Sequence, residues 1–322
     1  MSYYTGKNII VTGGAGFIGS HLCDGLFAAG ANQVAVVDNF FLGKEENLID
    51  AQQKYGEKLV IYREDAGEFA AMKAVCDAEQ PDIVFNLATK ALLYSFFNPA
   101  GAYEVNTKIA LSLLEILRFG GMGRLVHFST SEVFGSAQYV PMDENHPLLA
   151  ETTYAAGKAA ADLAVDSYVR MFGLDAFIVR PFNNYGPRQN DKALAAIIPL
   201  TLRRIMAGEA PLIQGTGEQT RDFIYVKDTI QSLLKLTAID GLKGQSFNLG
   251  SGRETSIKEI LDTLCELMDF KAPYIQKPTR VADVMRHWAG VDKARGLIGD
   301  VAPTLLLDGL KDTVDWYVGD SK

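Results

Sequence analysis

The chain has 322 residues, 48% hydrophobic and 22% charged. That is enough for about two domains and a sizeable core without disulfides or metals, which excludes a stapled mini-protein, a disordered chain and a membrane-embedded one. Thirty-one Lys and Arg against 39 Asp and Glu leave a net charge of −8. Most of the exterior therefore repels a nucleic-acid backbone or an anionic membrane, and a phosphate-bearing ligand must be met by a local site.

From the N-terminus, short β-branched runs alternate with longer amphipathic stretches. Strands are predicted at Asn8–Thr12, Gln33–Val37, Leu59–Tyr62, Ile83–Leu87, Leu125–Ser129 and Ala176–Arg180. Helices are predicted near Phe17–Ala29, Glu68–Ala78, Ala102–Phe119 and Tyr154–Phe172, where apolar residues recur at three- and four-residue spacing. Such alternation is the sequence form of βαβ units, and six strands so wound make an α/β fold with a Rossmann-type doubly wound parallel sheet.

The first strand runs into Thr12-Gly-Gly-Ala-Gly-Phe-Ile-Gly-Ser. Gly13, Gly16 and Gly19 satisfy one dinucleotide-binding spacing, and Gly14, Gly16 and Gly19 the other. Glycines let the backbone approach a pyrophosphate, and the helix that opens at Phe17 and Ile18 offers the anion its N–H groups and positive dipole end. Asp38 follows Gly19 by 19 residues, at the end of the second strand, close to the ~20 expected of the acid that binds the adenosine ribose. A carboxylate there accepts from ribose hydroxyls and repels a 2′-phosphate. No Arg follows in the stretch from Asn39 to Gly43, so the cofactor is read as NAD. Asp65 and Ala66, after the third strand, are placed facing the adenine, and Leu87 and Ala88, ending the fourth, are counted with the cofactor contacts.

Tyr154 and Lys158 stand at i and i+4 on one helix face, after a strand that ends in Ser129-Thr130-Ser131-Glu132. A free Tyr is a poor base at neutral pH, but a neighbouring Lys⁺ and a nicotinamide cation both favour the phenolate. Lys158 is also read as holding the nicotinamide ribose. With Thr130 orienting a substrate alcohol, these are parts for hydride transfer from a sugar carbinol to NAD.

After Arg180 the rhythm breaks into Pro- and Gly-punctuated segments with shorter helices. Residues 1–180 are read as the NAD-binding domain, with a returning segment near 222–250. Residues 181–322 are read as a smaller, interleaved substrate-binding lobe over the carboxyl ends of the strands. Cys23, Cys76 and Cys265 are far apart, with no CxxC and no metal-ligand spacing, and are read as buried thiols of a reducing compartment with no metal. The start of the chain lacks a signal-peptide core. The longest apolar run, Ala193–Leu202, is interrupted by Pro199 and Thr201. The expectation is a cytoplasmic protein with no membrane or nucleic-acid partner.

These motifs together resemble the extended short-chain dehydrogenase/reductase family, specifically its nucleotide-sugar epimerase/dehydratase members, over nearly the whole length. They are the glycine motif, Asn86-Leu-Ala, Ser129-Thr-Ser-Glu-Val-Phe-Gly, Tyr154-Ala-Ala-Gly-Lys, Arg180-Pro-Phe-Asn-Asn-Tyr-Gly-Pro-Arg and Arg221-Asp-Phe-Ile-Tyr-Val-Lys-Asp. The resemblance implies that Thr130, Tyr154 and Lys158 oxidise the sugar, and that Asn184, Arg221 and Arg286 hold the diphosphate of a nucleotide-diphosphate sugar. It also implies a homodimer formed through the helices near Ala102–Phe119 and Tyr154–Phe172.

Glu132 resembles the C5 base of 4,6-dehydratases, and the Thr-Ser-Glu in which it stands is also that of mannose-type dehydratases, where the glutamate would serve both steps, and of UDP-glucuronate decarboxylases. Ser131 stands where dehydratases of the thymidine-nucleotide type carry Asp, so the separate acid for the departing hydroxyl is missing. The continuation Ser136-Ala-Gln-Tyr-Val-Pro-Met-Asp-Glu-Asn-His-Pro-Leu is most similar to UDP-N-acetylglucosamine 4,6-dehydratases. Three alternatives stay open: a UDP-glucuronate decarboxylase, for which Lys90 would bind the C6 carboxylate unless it contacts a ribose; a 4-epimerase, in which Glu132 is idle; and an NAD-binding sensor without chemistry.

Overall fold

The computed structural model describes residues 2–192, 194–279 and 284–320. Ala193, where the longest apolar run begins, lies outside the described residues. In chain order the elements of the first part are β1 (Asn8–Thr12), α1 (Phe17–Ala28), β2 (Gln33–Val37), α2 (Ile49–Tyr55), β3 (Leu59–Tyr62), α3 (Phe69–Glu79), β4 (Ile83–Asn86), α4 (Pro99–Arg118), β5 (Arg124–Phe128), α5 (Thr153–Phe172) and β6 (Ala176–Pro181). The remainder supplies β7 (Asn183–Tyr185), α6 (Ile197–Met206), β8 (Leu212–Gln214), β9 (Thr220–Arg221), β10 (Phe223–Tyr225), α7 (Val226–Thr237), β11 (Ser246–Leu249), β12 (Thr255–Ser256), α8 (Ile257–Leu267), β13 (Ile275–Lys277), α9 (Asp292–Ile298) and α10 (Leu306–Asp320).

The main sheet is parallel throughout and has seven strands in the order β11-β6-β5-β4-β1-β2-β3. The seventh, β11, was not among the six strands expected. It reaches the sheet from the second half of the chain and pairs with β6, Phe247 opposite Val179. Strand order reverses at β1, whose neighbours are β2 and β4, and that reversal opens a crevice outside the carboxyl ends. Strands buried on both faces need continuous apolar runs, and β1, β2 and β4 supply them as Ile-Ile-Val, Val-Ala-Val-Val and Ile-Val-Phe.

One apolar core fills each face of the sheet, and a third, around Tyr185, Leu202, Ile213 and Leu261, holds the second lobe together. Helices α4 and α5 pack along each other at close range. A Cβ on Gly157 would stand 2.8 Å from the Tyr103 carbonyl oxygen, so this glycine serves packing within the subunit. Cys23 and Cys76 are buried, whereas Cys265 is only half-buried because it lies on α8 in the loop-rich lobe; all three are free thiols. Among the described residues no helix is long and apolar enough to cross a membrane, and no group of three or more His, Cys, Asp or Glu is placed to hold a metal.

Candidate active site

A cavity of about 410 Å³ lies over the carboxyl ends of the strands, lined by the glycine turn, the ends of β2, β4, β5 and β6, and residues 184 and 188–190 of the second lobe. Its first wall follows from glycine chemistry. Gly13 has φ +70°, and a Cβ there would stand 2.9 Å from the Ala88 nitrogen; one on Gly19 would stand 2.2 Å from the Gly13 oxygen. Only bare backbone lets α1 press onto the turn this closely. Gly16 caps α1 without a side chain, so the helix end at Phe17, Ile18 and Gly19 faces the cavity. A cradle that any Cβ would fill, at a helix N-terminus, fits a pyrophosphate.

Asp38 closes the next wall. Its carboxylate accepts the Ala15 N–H at 3.0 Å and the Phe40 N–H at 2.8 Å, and burial holds its carboxyl above the usual range against those two bonds. Asn39 donates to Asp65 at 2.9 Å, Asp65 also accepts the Gly67 N–H at 2.8 Å, and buried Ala66 completes that corner beside Leu87 and Ala88. The loop after Asp38 is anchored by residues that the sequence reading did not single out. Asn47 donates to the Ala15 carbonyl at 2.9 Å, and Lys44 reaches across to Asp191 of the second lobe at 3.1 Å. Lys90 stands in this end as well: its ammonium is 3.5 Å from the centre of the Phe41 ring, and its charge acts on Asp38.

At the other end α5, capped by Thr152, presents Tyr154 and Lys158. The Tyr154 hydroxyl bonds to the side chains of Thr130 and Thr89. Burial pushes that phenol up to about 12, with the Thr130 bond opposing and the Glu132 charge adding to the rise. Lys158 is 2% exposed and donates to the Phe128 carbonyl at 2.8 Å. Burial pulls its ammonium down to about 8, with Asp162 one turn further along opposing. Residues of the chain alone therefore keep Tyr154 a neutral phenol. Thr89, which donates onward to Asn106 at 2.9 Å, was missed by sequence because its partners lie on other elements.

Thr130 also caps the turn that follows, its Oγ1 accepting the Glu132 N–H at 3.2 Å. Glu132 is half-buried and close enough for its charge to act on Tyr154. Ser131 is buried, its hydroxyl 3.5 Å from Nδ1 of His287. Neither belongs to the lining of the 410 Å³ cavity. Asn184 does, with its Oδ1 accepting from Thr229 at 2.6 Å and its Nδ2 donating to the Phe182 carbonyl. Arg221 and Arg286 stand outside that lining but beside each other, since Thr220 pairs with Arg286. Arg221 is buried and donates to the carbonyls of Thr220 and Val284 at 2.9 and 2.6 Å. Arg286 is exposed and grips Glu254 with two bonds, at 2.9 and 2.6 Å.

This fold recurs in known proteins. The family model for GDP-mannose 4,6 dehydratase matches residues 10–295. The crystal structure of the UDP-glucose 4-epimerase of Thermotoga maritima, solved with UDP-glucose, superposes with a TM-score of 0.91 at 31% identity, over 98% of this chain and 100% of that one. That of a dTDP-glucose 4,6-dehydratase of Streptomyces venezuelae, solved with NAD bound, gives 0.90 at 28% identity over 97% of each chain. UDP-glucuronic acid decarboxylase 6 of Arabidopsis thaliana is 30% identical over 315 residues, 96% of this chain and 88% of its own.

Proposed function

Because the chain belongs to the extended short-chain dehydrogenase/reductase family of NAD-dependent nucleotide-sugar epimerases, dehydratases and decarboxylases, we propose that it is a nucleotide-sugar 4,6-dehydratase whose substrate is of the UDP-N-acetylglucosamine type. The observation that carries this reading is Glu132, a carboxylate that the Thr130-capped turn holds beside Tyr154. A 4-epimerase needs no carboxylate there. A decarboxylase needs a cation for the C6 carboxylate, and Lys90, seated on Phe41 and acting on Asp38, belongs to the adenosine end of the cavity.

The glycine turn, Asp38 and Lys158 would hold NAD, which when bound would supply an acceptor for the C4 hydride and the source of the hydride that C6 receives. Tyr154, beside Thr130 and Thr89, would be brought to its phenolate by the cation of a bound nicotinamide and would then take the proton of the sugar 4-hydroxyl as C4 is oxidised to the ketone. The ketone acidifies C5–H. Glu132 takes that proton and delivers it to the departing 6-hydroxyl, so that water leaves; with the hydride then given to C6 and the Tyr154 proton to C5, Tyr154 regains its starting state and no external oxidant or reductant is consumed. Arg221 and Arg286 are assigned to the diphosphate, and Asn184 to the substrate beside them.

The test offers UDP-N-acetylglucosamine, UDP-glucuronate, UDP-glucose, GDP-mannose and dTDP-glucose separately with NAD, each followed by mass spectrometry. Loss of water from one of them is expected, with Glu132→Gln abolishing that loss. Loss of CO₂ from the glucuronate, or an epimer of unchanged mass seen by NMR, would replace the dehydratase. Tyr154→Phe ends turnover in any of these enzymes and leaves the NAD binding of a sensor intact.

The same reading includes a homodimer in a reducing cytoplasm. Leu111 on α4 and Leu163 and Met171 on α5 are exposed apolar residues, at 38%, 59% and 70%, on the helix pair expected to meet a second copy. Sedimentation is expected to give twice the chain mass, and Leu163→Asp to halve it; a monomeric wild type removes the dimer.

A further inference from the structure

We propose that His287 is a positioning residue for Glu132: it grips both ends of the turn that carries the carboxylate and fixes where that carboxylate points. The inference rests on the dehydratase reading, in which Glu132 is the base. His287 comes from the second lobe and is 0% exposed, and nothing in the chemistry above uses it. Its Nε2 lies 3.1 Å from the Gly135 carbonyl oxygen, which can only accept, so Nε2 carries the proton. Burial, against the pull of the Glu132 charge, keeps the ring below its ordinary pKa and therefore neutral, which leaves Nδ1 an acceptor. Ser131, 3.5 Å away, donates to it.

One ring thus ties residue 131 to residue 135, with Glu132 between them. The turn has no room to retreat. Gly135 has φ +62°, and the Leu149 carbonyl oxygen lies 1.9 Å from where a Cβ on Gly135 would stand. Thr130 holds the Glu132 N–H from the other side. The arrangement also turns the Ser131 hydroxyl toward His287, which leaves Glu132 to both take and give the proton.

The segment that delivers His287 is itself braced. The His287 N–H donates to Thr220 at 3.2 Å, Met142 donates to the Trp288 carbonyl at 2.7 Å, and Gly290 donates to Met142 at 2.8 Å. Arg286, assigned to the diphosphate, is the preceding residue. The group that aims the base is therefore chain neighbour to one that grips the nucleotide, which links substrate engagement to the elimination step.

The test uses the NAD-loaded enzyme and whichever nucleotide sugar loses water. His287→Ala is expected to slow dehydration by about a hundredfold, with KM little changed, as for a misaimed catalytic group. Deuterium uptake at C5 from heavy water should fall in parallel, while the first-turnover absorbance of the reduced cofactor rises at the wild-type rate. His287→Gln, whose amide N–H reaches for the same carbonyl, should recover part of the loss. Wild-type deuterium uptake in the alanine variant, or equal slowing of oxidation and elimination, overturns the proposal. Should the alanine variant not fold, the glutamine variant is read alone: elimination slowed more than oxidation supports the role, and an unchanged ratio overturns it. A wild type that releases no water from any sugar ends the dehydratase reading and this inference with it, whereas the other failures leave that reading standing.

Discussion

Asp38 and Lys158, proposed for the cofactor, and Arg286, proposed for the substrate, handle charge in opposite ways, while Arg221 beside Arg286 is buried like the first two. On the cofactor side, Asp38 and Lys158 are 8% and 2% exposed, and burial drives each toward its neutral form. On the substrate side, Arg286 is half-exposed and spends its fork on Glu254, whose carboxyl that bond holds below the ordinary range. A buried charge is expensive to keep and rigid once its ligand supplies a partner, whereas an exposed pair is cheap to break and remake. The first suits a cofactor that stays through every turnover, and the second a substrate that leaves.

The largest expected effect comes from Lys158→Met in protein stripped of NAD. The Lys158 ammonium titrates near 8 when folded against about 10.5 when unfolded, so below pH 8 the fold carries a buried cation at full cost. Between those values the folded chain binds fewer protons than the unfolded one, and stability gains as pH rises. Methionine removes the cost. At pH 7 the variant is expected to be more stable by about 3 kcal/mol at most, taking each pKa unit as about 1.36 kcal/mol. The advantage should shrink as pH climbs from 8 and vanish beyond about 10.5, and denaturant unfolding at several pH values reads it. A variant less stable than wild type at pH 7 would mean that the bond to the Phe128 carbonyl and the Asp162 charge outweigh burial, and the contrast between the halves would break.

Legibility in the sequence divides along the same line. The glycine turn, Asp38 and the helix that opens at Phe17 form one short stretch, and local chemistry dictates the conformation of each. The bounds of β1, β2 and β3 were therefore readable to the residue. Tyr154 and Lys158 were readable because a helix repeats. What was missed is what distance in the chain conceals. β11 is four residues, Ser-Phe-Asn-Leu, whose two polar-apolar repeats are too few to stand out from the loops around them, and it becomes a strand by pairing with β6. α2 is one short polar helix with a single buried residue, Ala51, too little for an amphipathic pattern. Thr89 and His287 carry no motif, and the Ser131–His287 contact joins residues 156 apart. Lys44 and Asn47 belong to a single helical turn between β2 and α2 whose composition gave no reason to choose them.

The smallest effect, and the sharpest test of the contrast, is Arg286→Ala against Arg221→Ala. Both arginines are assigned to the diphosphate, yet Arg221 is fixed by the carbonyls of Thr220 and Val284 while Arg286 must release or share Glu254, which also accepts from Thr220 at 2.7 Å. Removing Arg286 should weaken UDP binding, measured by titration calorimetry, only a few-fold, because the free protein already occupies that fork with a carboxylate. Removing Arg221 should weaken it more and also lower stability, since the buried bond to the Val284 carbonyl is lost, while the Thr220 carbonyl keeps the His287 N–H. Glu254→Gln then works in the opposite direction: freed of its carboxylate, Arg286 is available before the ligand arrives, and UDP should bind a few-fold tighter with a steeper salt dependence. If Glu254→Gln instead leaves affinity unchanged while Arg286→Ala also does, the Arg286–Glu254 pair is a surface brace of the second lobe, and the diphosphate is held by Arg221 without it.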